Sequence, residues 1–258
     1  MKKITRSFAV FFPNMLTAAN LFLGVMATYY AFTGYSPIAA NLIIIAAVLD
    51  FFDGFFARLL KAQTELGKQF DSLADLISFG LAPAAILFDI SSFDHFGREW
   101  IYHNENILPF FIFLLVVFSA LRLARFNIDS KQQNGFLGLP TPANALFIAS
   151  LPLMMMELCP CTLFFQQIAN IRNILIYVAL ISLLMNISVP MLSLKMKSLK
   201  WKENAARYIF LFIVIIAVLG IYFGTSFSYA FILAFVLAFY LSYSLLVALF
   251  QMLTKEKA

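Results

Sequence analysis

Of the 258 residues, 62% are hydrophobic and only 12% charged, with 31 phenylalanines and a mean hydropathy of +0.89. That composition excludes an ordinary soluble globular domain and places the chain among membrane proteins. The net charge of +5 does not argue for a nucleic-acid partner, because the basic residues sit in short segments between long apolar runs.

In chain order, the sequence opens with MKKITRSFAVFFP, which suits either a short interfacial helix before Pro13 or an ordinary basic lead-in. No small-residue cleavage pattern follows the first apolar run, so that run is expected to be a retained span and not a removed signal peptide. Eight apolar runs follow, at residues 14–34, 37–60, 70–90, 107–128, 142–159, 172–194, 205–223 and 227–252. Each is long enough, or nearly so, to cross about 30 Å of hydrocarbon at about 1.5 Å per residue. The fifth is marginal, being divided by Pro142, Pro152 and Pro160. Cys159 and Cys161, at its end, are too close in sequence for an easy unstrained bridge and say little about redox compartment. GTSFS, residues 224–228, reads as a tight turn between the last two runs. The expected fold is therefore all-α: a polytopic bundle of eight transmembrane helices in one integral membrane domain, residues 1–258. A six-helix core at 14–194 would carry two additional helices at 205–252, with six spans plus re-entrant segments as the competing arrangement.

The basic residues test this count. With the N-terminus inside, one side carries Lys2, Lys3 and Arg6; Arg58, Lys61 and Lys68; Arg122, Arg125 and Lys131; Lys195, Lys197, Lys200, Lys202 and Arg207; and Lys255 and Lys257. That is 16 of the 18, leaving Arg98 and Arg172 for the other side. Both termini are thus expected in the cytoplasm. The segment between the third and fourth runs holds Trp100, an interface anchor, with His95 and His103 in no metal-ligand spacing.

The chemistry is concentrated in DFFDGFFARLLKAQTELGKQFDSLAD, residues 50–75. Asp50 and Asp53 are three apart on the second run, and Asp71 and Asp75 four apart at the start of the third, so each pair shares a helical face. The connection at 61–68 makes the two helices antiparallel neighbours and brings the pairs to similar depth. Four carboxylates so placed, just inside the cytoplasmic boundary, need compensation in a low-dielectric site. Snorkelling acids, helix caps or a proton relay in a transporter are the bland alternatives, and Asp71 suits a cap or first-turn role. A cap explains one acid, whereas one or two hard divalent cations explain all four, because Mg2+ and Mn2+ favour oxygen ligands and bridge carboxylates to phosphate. Gly54 and Ala57 leave the adjoining face nearly bare, for a ligand or simply for helix packing. Gly67 permits an unusual turn or a close helix approach. Arg58 adds either a phosphate-directed cation or a snorkelled boundary charge.

The pattern Asp50-x-x-Asp53-Gly54-x-x-Ala57-Arg58, eight residues, Gly67-x-x-x-Asp71-x-x-x-Asp75 resembles the full signature of the CDP-alcohol phosphatidyltransferase family. The resemblance implies that family's membrane fold, with 14–194 as its catalytic core, and metal-binding roles for Asp50, Asp53, Asp71 and Asp75, with two Mg2+ or Mn2+ ions. It also implies that Asp75 is the catalytic base. Asp50, Asp53, Gly54, Ala57, Arg58, Gly67 and Asp71 would surround the cytidine diphosphate of the donor. A homodimer in a bacterial or archaeal cell membrane is likewise expected by resemblance.

The acceptor must be read elsewhere. PNMLTAANLFLG at 13–24, SFGLAP at 78–83, LRLARFN at 121–127 and GLPTPA at 138–143 resemble the serine-accepting branch of the same family. This implies transfer of a phosphatidyl group from CDP-diacylglycerol to L-serine, giving phosphatidylserine and CMP. Arg125 and Asn127 are the first candidates for the acceptor pocket, with Arg122 behind them; a carboxylate or phosphate suits such arginines, and so does positive-inside topology. Gly138, Pro140 and Pro142 give the fifth run a shaped entry. Transfer to glycerol 3-phosphate is the alternative within the class. An ion-coupled transporter is the alternative outside it, although no paired discontinuous repeat is visible in the two halves.

Overall fold

The computed structural model describes residues 2–92, 107–128, 138–158, 162–187, 212–215 and 229–255, and every element among them is helical. Helix α1, Lys2–Phe32, runs through Pro13 without a break and ends at Gly34, whose φ of 85° places it in the left-handed region. Gly34 N–H bonds to the Ala31 carbonyl and Tyr35 N–H to that of Tyr30, a Schellman closure, before Pro37 opens α2, Ser36–Leu59. The third long helix has three parts: α3, Glu65–Asp75; a π-helical segment, Leu76–Leu81; and α4, Ala82–Ser91. A 3-10 turn at Leu108–Phe113 leads into α5, Leu114–Ile128. Then come α6, Thr141–Met155; α7, Leu163–Ala169; α8, Ile171–Asn186; and α9, Tyr229–Lys255.

Four stretches are long and apolar enough to cross a membrane: Val10–Phe32, Ser36–Leu59, Glu65–Ser91 and Leu108–Ile128. A fifth is available if α7 and α8, bent by 60° at Asn170, count as one span. The expected eight are therefore represented by four or five among the described residues. The fifth predicted run is a helix of 15 residues, about 22 Å long at ~1.5 Å per residue and short of the hydrocarbon thickness. The sixth, 172–194, is helical in α8 up to Asn186; the bend at Asn170 lies just before it, where the Asn170 side chain caps α8 by accepting from Arg172 N–H. Of the seventh, only 212–215 lie within the described residues, and these are helical; the 224–228 turn, the two cysteines and the Trp100 segment lie outside them.

The third helix is the axis of the bundle, much more deeply buried than either of the first two. Its α4 part is rich in alanine, which lets neighbours approach closely. Helices α1 and α2 pack as a hairpin, turning Phe22, Val25, Tyr29 and Phe32 outward on one and Ile45, Val48, Phe52 and Phe55 outward on the other. Such apolar faces suit lipid. Inward on α2 lie Ser36, Ala39, Ala40, Ile43 and Ala46, and the same stripe continues to Asp53. The acids thus occupy the buried face of the helix.

At the crossing of α1 and the π segment the backbones nearly touch. A Cβ at Gly24 would lie 2.7 Å from Ser78 Cα and 2.9 Å from Ser78 N, and the Ser78 hydroxyl donates to the Asn20 carbonyl at 3.0 Å. Gly24→Ala is therefore expected to destabilise the bundle by about 1–3 kcal/mol. This would be measured as a fall in the thermal midpoint of the detergent-solubilised protein; an unchanged midpoint would show that the crossing yields freely.

Candidate active site

Helix α2 ends in a second Schellman closure, Lys61 N–H to the Arg58 carbonyl and Ala62 N–H to that of Ala57. Here Lys61, not a glycine, takes the left-handed position, with φ of 50°. Thr64 then caps α3 by accepting from Gly67 N–H at 3.0 Å. Since α3 starts at Glu65, Asp71 is well inside the helix, so the cap role that the sequence left open for it does not apply. Gly67 is also helical; of its two suggested uses the structure shows the close approach, since a Cβ there would lie 3.0 Å from Thr64 Oγ1 and 3.1 Å from Asn14 Oδ1.

This hairpin brings carboxylate oxygens of Asp50, Asp53 and Asp71 within 4.8 Å of one another. Asp75 stands just beyond that triad, with its carboxyl against that of Asp50. Asp53 is almost wholly buried and accepts a hydrogen bond from the Thr17 hydroxyl of α1 at 2.7 Å. By contrast, Oδ1 of Asp71 and Oδ1 of Asp75 are buried with no hydrogen-bond partner. Buried anionic oxygens without donors are costly unless something else coordinates them. A set of hard carboxylates, closely spaced and incompletely hydrogen-bonded, fits a divalent cation; the triad could hold one.

Beside the acids lies a cavity of about 660 Å³, lined by Asp53, Gly54, Ala57, Arg58, Gly67 and Asp71 together with Asn14, Thr17 and Lys68. Every signature position between 53 and 71 therefore reaches one space. A Cβ at Gly54 would come no nearer than 3.6 Å to Arg58 Nη1. The missing side chain there is not filled by a neighbouring helix; it widens the cavity.

The three acceptor candidates separate in space. Arg122 is buried, donates to Thr141 Oγ1 at 3.4 Å, leaves Nε unpartnered, and has Asp75 and Tyr240 as electrostatic neighbours. Arg125 is exposed and donates to the Asn186 carbonyl at 3.2 Å. Asn127 donates to Ser72 Oγ at 2.8 Å, and its own carbonyl accepts from Lys68 Nζ at 2.8 Å, so it ties the end of α5 to α3. Thr141 is delivered to Arg122 by the shaped entry: Gly138 has a φ of 72°, Pro140 is the cap residue, and Pro142 sits in the first turn of α6.

Thr17, Asn20, Thr141 and Tyr240 carry no role that the sequence alone indicates. For the first two a signal existed: Asn14, Thr17, Asn20 and Gly24 recur at three- and four-residue spacing on an otherwise apolar run, which marks one inward face.

A helical, membrane-embedded bundle whose central hairpin gathers four aspartates beside a polar cavity defines the class to which this chain belongs. Residues 10–191 match the family described as CDP-alcohol phosphatidyltransferase, and the chain is a member of that family. It is similar to the CDP-diacylglycerol--serine O-phosphatidyltransferase of Helicobacter pylori (strain ATCC 700392 / 26695), with 38% identity over 139 residues, 53% of this chain and 55% of that protein. The enzyme of the same name from Bacillus subtilis (strain 168) is 27% identical over 170 residues, 63% of this chain and 89% of that protein. An archaetidylserine synthase of Methanothermobacter thermautotrophicus is 33% identical over 152 residues, 58% and 60% of the two chains. The match thus spans about half the length of the Helicobacter relative.

Proposed function

We propose that the protein transfers a phosphatidyl group from CDP-diacylglycerol to the hydroxyl of L-serine, forming phosphatidylserine and releasing CMP. The observation that carries this reading is the convergence of Asp50, Asp53, Asp71 and Asp75 beside a cavity lined by the rest of the signature. Serine is favoured as acceptor by the names of the relatives, in which the lipid differs between the bacterial and archaeal proteins while serine does not.

In this reading the cavity holds the cytidine diphosphate, with Arg58 at its phosphates and Gly54 and Ala57 giving it room. Asp50, Asp53, Asp71 and Asp75 hold one or two Mg2+ or Mn2+ ions, which when bound neutralise the diphosphate oxygens and the charge on departing CMP. Asp75 takes the proton of the serine hydroxyl as that oxygen attacks the phosphorus bonded to diacylglycerol, and the bond from that phosphorus to CMP breaks. The protein acts as an integral membrane homodimer of a bacterial or archaeal cell membrane, with eight spans and with its termini and active site cytoplasmic, as the basic-residue pattern suggests. Residues 14–194 form the catalytic core and 205–252 the added helices.

Of the acceptor candidates, Arg122 has the burial and the proximity to Asp75 that a carboxylate clamp needs. Arg122→Leu is accordingly expected to raise the KM for serine by about tenfold or more, the loss of a charge-assisted hydrogen bond. Arg125→Ala should impair serine use less, but still more than nucleotide binding; equal loss of both would mark Arg125 as structural. The reading as a whole is tested by one acceptor panel. Purified protein, CDP-diacylglycerol and Mn2+ or Mg2+ are incubated with serine, glycerol 3-phosphate and inositol phosphate separately, and CMP and the lipid product are measured. CMP released only with glycerol 3-phosphate would replace serine; ion flux in liposomes without CMP would replace the reaction.

A further inference from the structure

The inward stripe of α1 carries Thr17, Asn20, Gly24, Ala27 and Ala31, all of them buried. Two of its members have evident work: Thr17 holds Asp53, and Gly24 admits the π segment. Asn20 is different. It is fully buried beside Asp75, with whose carboxyl its amide interacts, yet neither its Nδ2 nor its Oδ1 makes a hydrogen bond of ordinary length. Its backbone carbonyl accepts from the Ser78 hydroxyl.

A buried carboxamide without a hydrogen bond of ordinary length opposes folding, because it has surrendered water and gained little in return. Packing does not account for it, since an apolar side chain of the same branching, leucine, would fill the place without that penalty. What remains is a partner absent from the folded chain alone. Arg122, an electrostatic neighbour of Asp75, also has its Nε buried and unpartnered. Two donor-bearing side chains thus stand near the acid, and only the amide of Asn20 also offers an acceptor oxygen.

We propose that Asn20 is a positioning and specificity-determining residue for the acceptor, an inference that rests on the serine reading above. Once the acceptor is bound, its Nδ2 closes onto the Asp75 carboxylate and fixes the acid's orientation, while its Oδ1 accepts a hydrogen bond from the α-ammonium of the incoming amino acid. Arg122 receives the carboxylate of the same molecule. An alcohol without an amine loses the Oδ1 contact and leaves that oxygen unpaired.

The test uses the full-length protein in detergent or vesicles and compares the parent with Asn20→Leu, and with Asn20→Ala in case leucine overfills the site. L-Serine and its amine-free analogue 3-hydroxypropionate are each supplied with CDP-diacylglycerol. In the variants the KM for serine is expected to rise by about tenfold or more, the preference for serine over the analogue to collapse, and the KM for CDP-diacylglycerol to stay unchanged. The thermal midpoint of Asn20→Leu should equal or exceed that of the parent, an outcome a structural asparagine would not give. An unchanged serine preference, a midpoint that falls in both variants, or a raised Mn2+ requirement in place of a serine defect would each overturn the inference while leaving the proposed function standing. A parent protein that releases no CMP with serine would overturn both.

Discussion

Asp75→Asn is expected to lower serine-dependent CMP release by a factor of about 10²–10⁴, the usual contribution of a positioned general base, without unfolding the protein. Asparagine is isosteric with aspartate but cannot accept the hydroxyl proton. The substitution breaks no hydrogen bond made by Oδ1, which has none. It also removes one negative charge from a group of four, since Asp50, Asp53 and Asp71 all act on Asp75 through their charge. Stability should therefore hold or improve, the pattern expected when a strained catalytic group is neutralised. The measurements are CMP release with saturating serine and a thermal unfolding curve on the same preparation. Parental turnover in the variant would remove Asp75 from the base role, and an unfolded variant would show that its charge is needed for assembly.

The site was more legible in the sequence than the bundle around it, for a physical reason. Charged side chains in a membrane helix are expensive enough to be informative wherever they occur, so Asp50, Asp53, Asp71 and Asp75 could be placed on facing stripes from spacing alone. The structure gathers those stripes. Helix boundaries are weaker signals, because lipid-facing and core-facing residues are equally apolar. The shortness of α6 could not be told from hydropathy, which reads it as a span, and the 60° bend at Asn170 falls between two predicted runs, where α7 shows no long apolar stretch. The π segment Leu76–Leu81 was invisible for another reason: it changes the hydrogen-bond register of a helix without changing its composition. For the acceptor pocket, resemblance to the serine-accepting branch puts Arg125 and Asn127 ahead of Arg122, whereas only Arg122 of the three is buried and has Asp75 as an electrostatic neighbour. Three residues along a helix is nearly one turn, enough to exchange the interior for the surface only when the bundle tapers at its end, as α5 does beyond Leu123.

Removal of divalent cations is expected to abolish turnover and to lower thermal stability, and Mg2+ or Mn2+ should restore both. Three carboxylates whose oxygens lie within 4.8 Å of one another repel when ionised. Asp53 cannot swing away, being buried and held by Thr17. The repulsion is thus built into the fold, and a cation that binds only the folded protein stabilises it by mass action, by about 2.7 kcal/mol at a hundredfold excess over Kd. A rise in thermal midpoint that saturates with Mn2+ in the absence of any substrate is therefore the direct readout. Asp71→Asn should shift that saturation to higher Mn2+ concentration, because Asp71 Oδ1 is the buried triad oxygen without a donor. A spectator pair such as Mg2+ with the donor diphosphate alone predicts otherwise: no stabilisation before CDP-diacylglycerol is added, and the same midpoint in Asp71→Asn. If that second pattern is observed, the four aspartates act on the substrate-bound ion only and do not form a resident site.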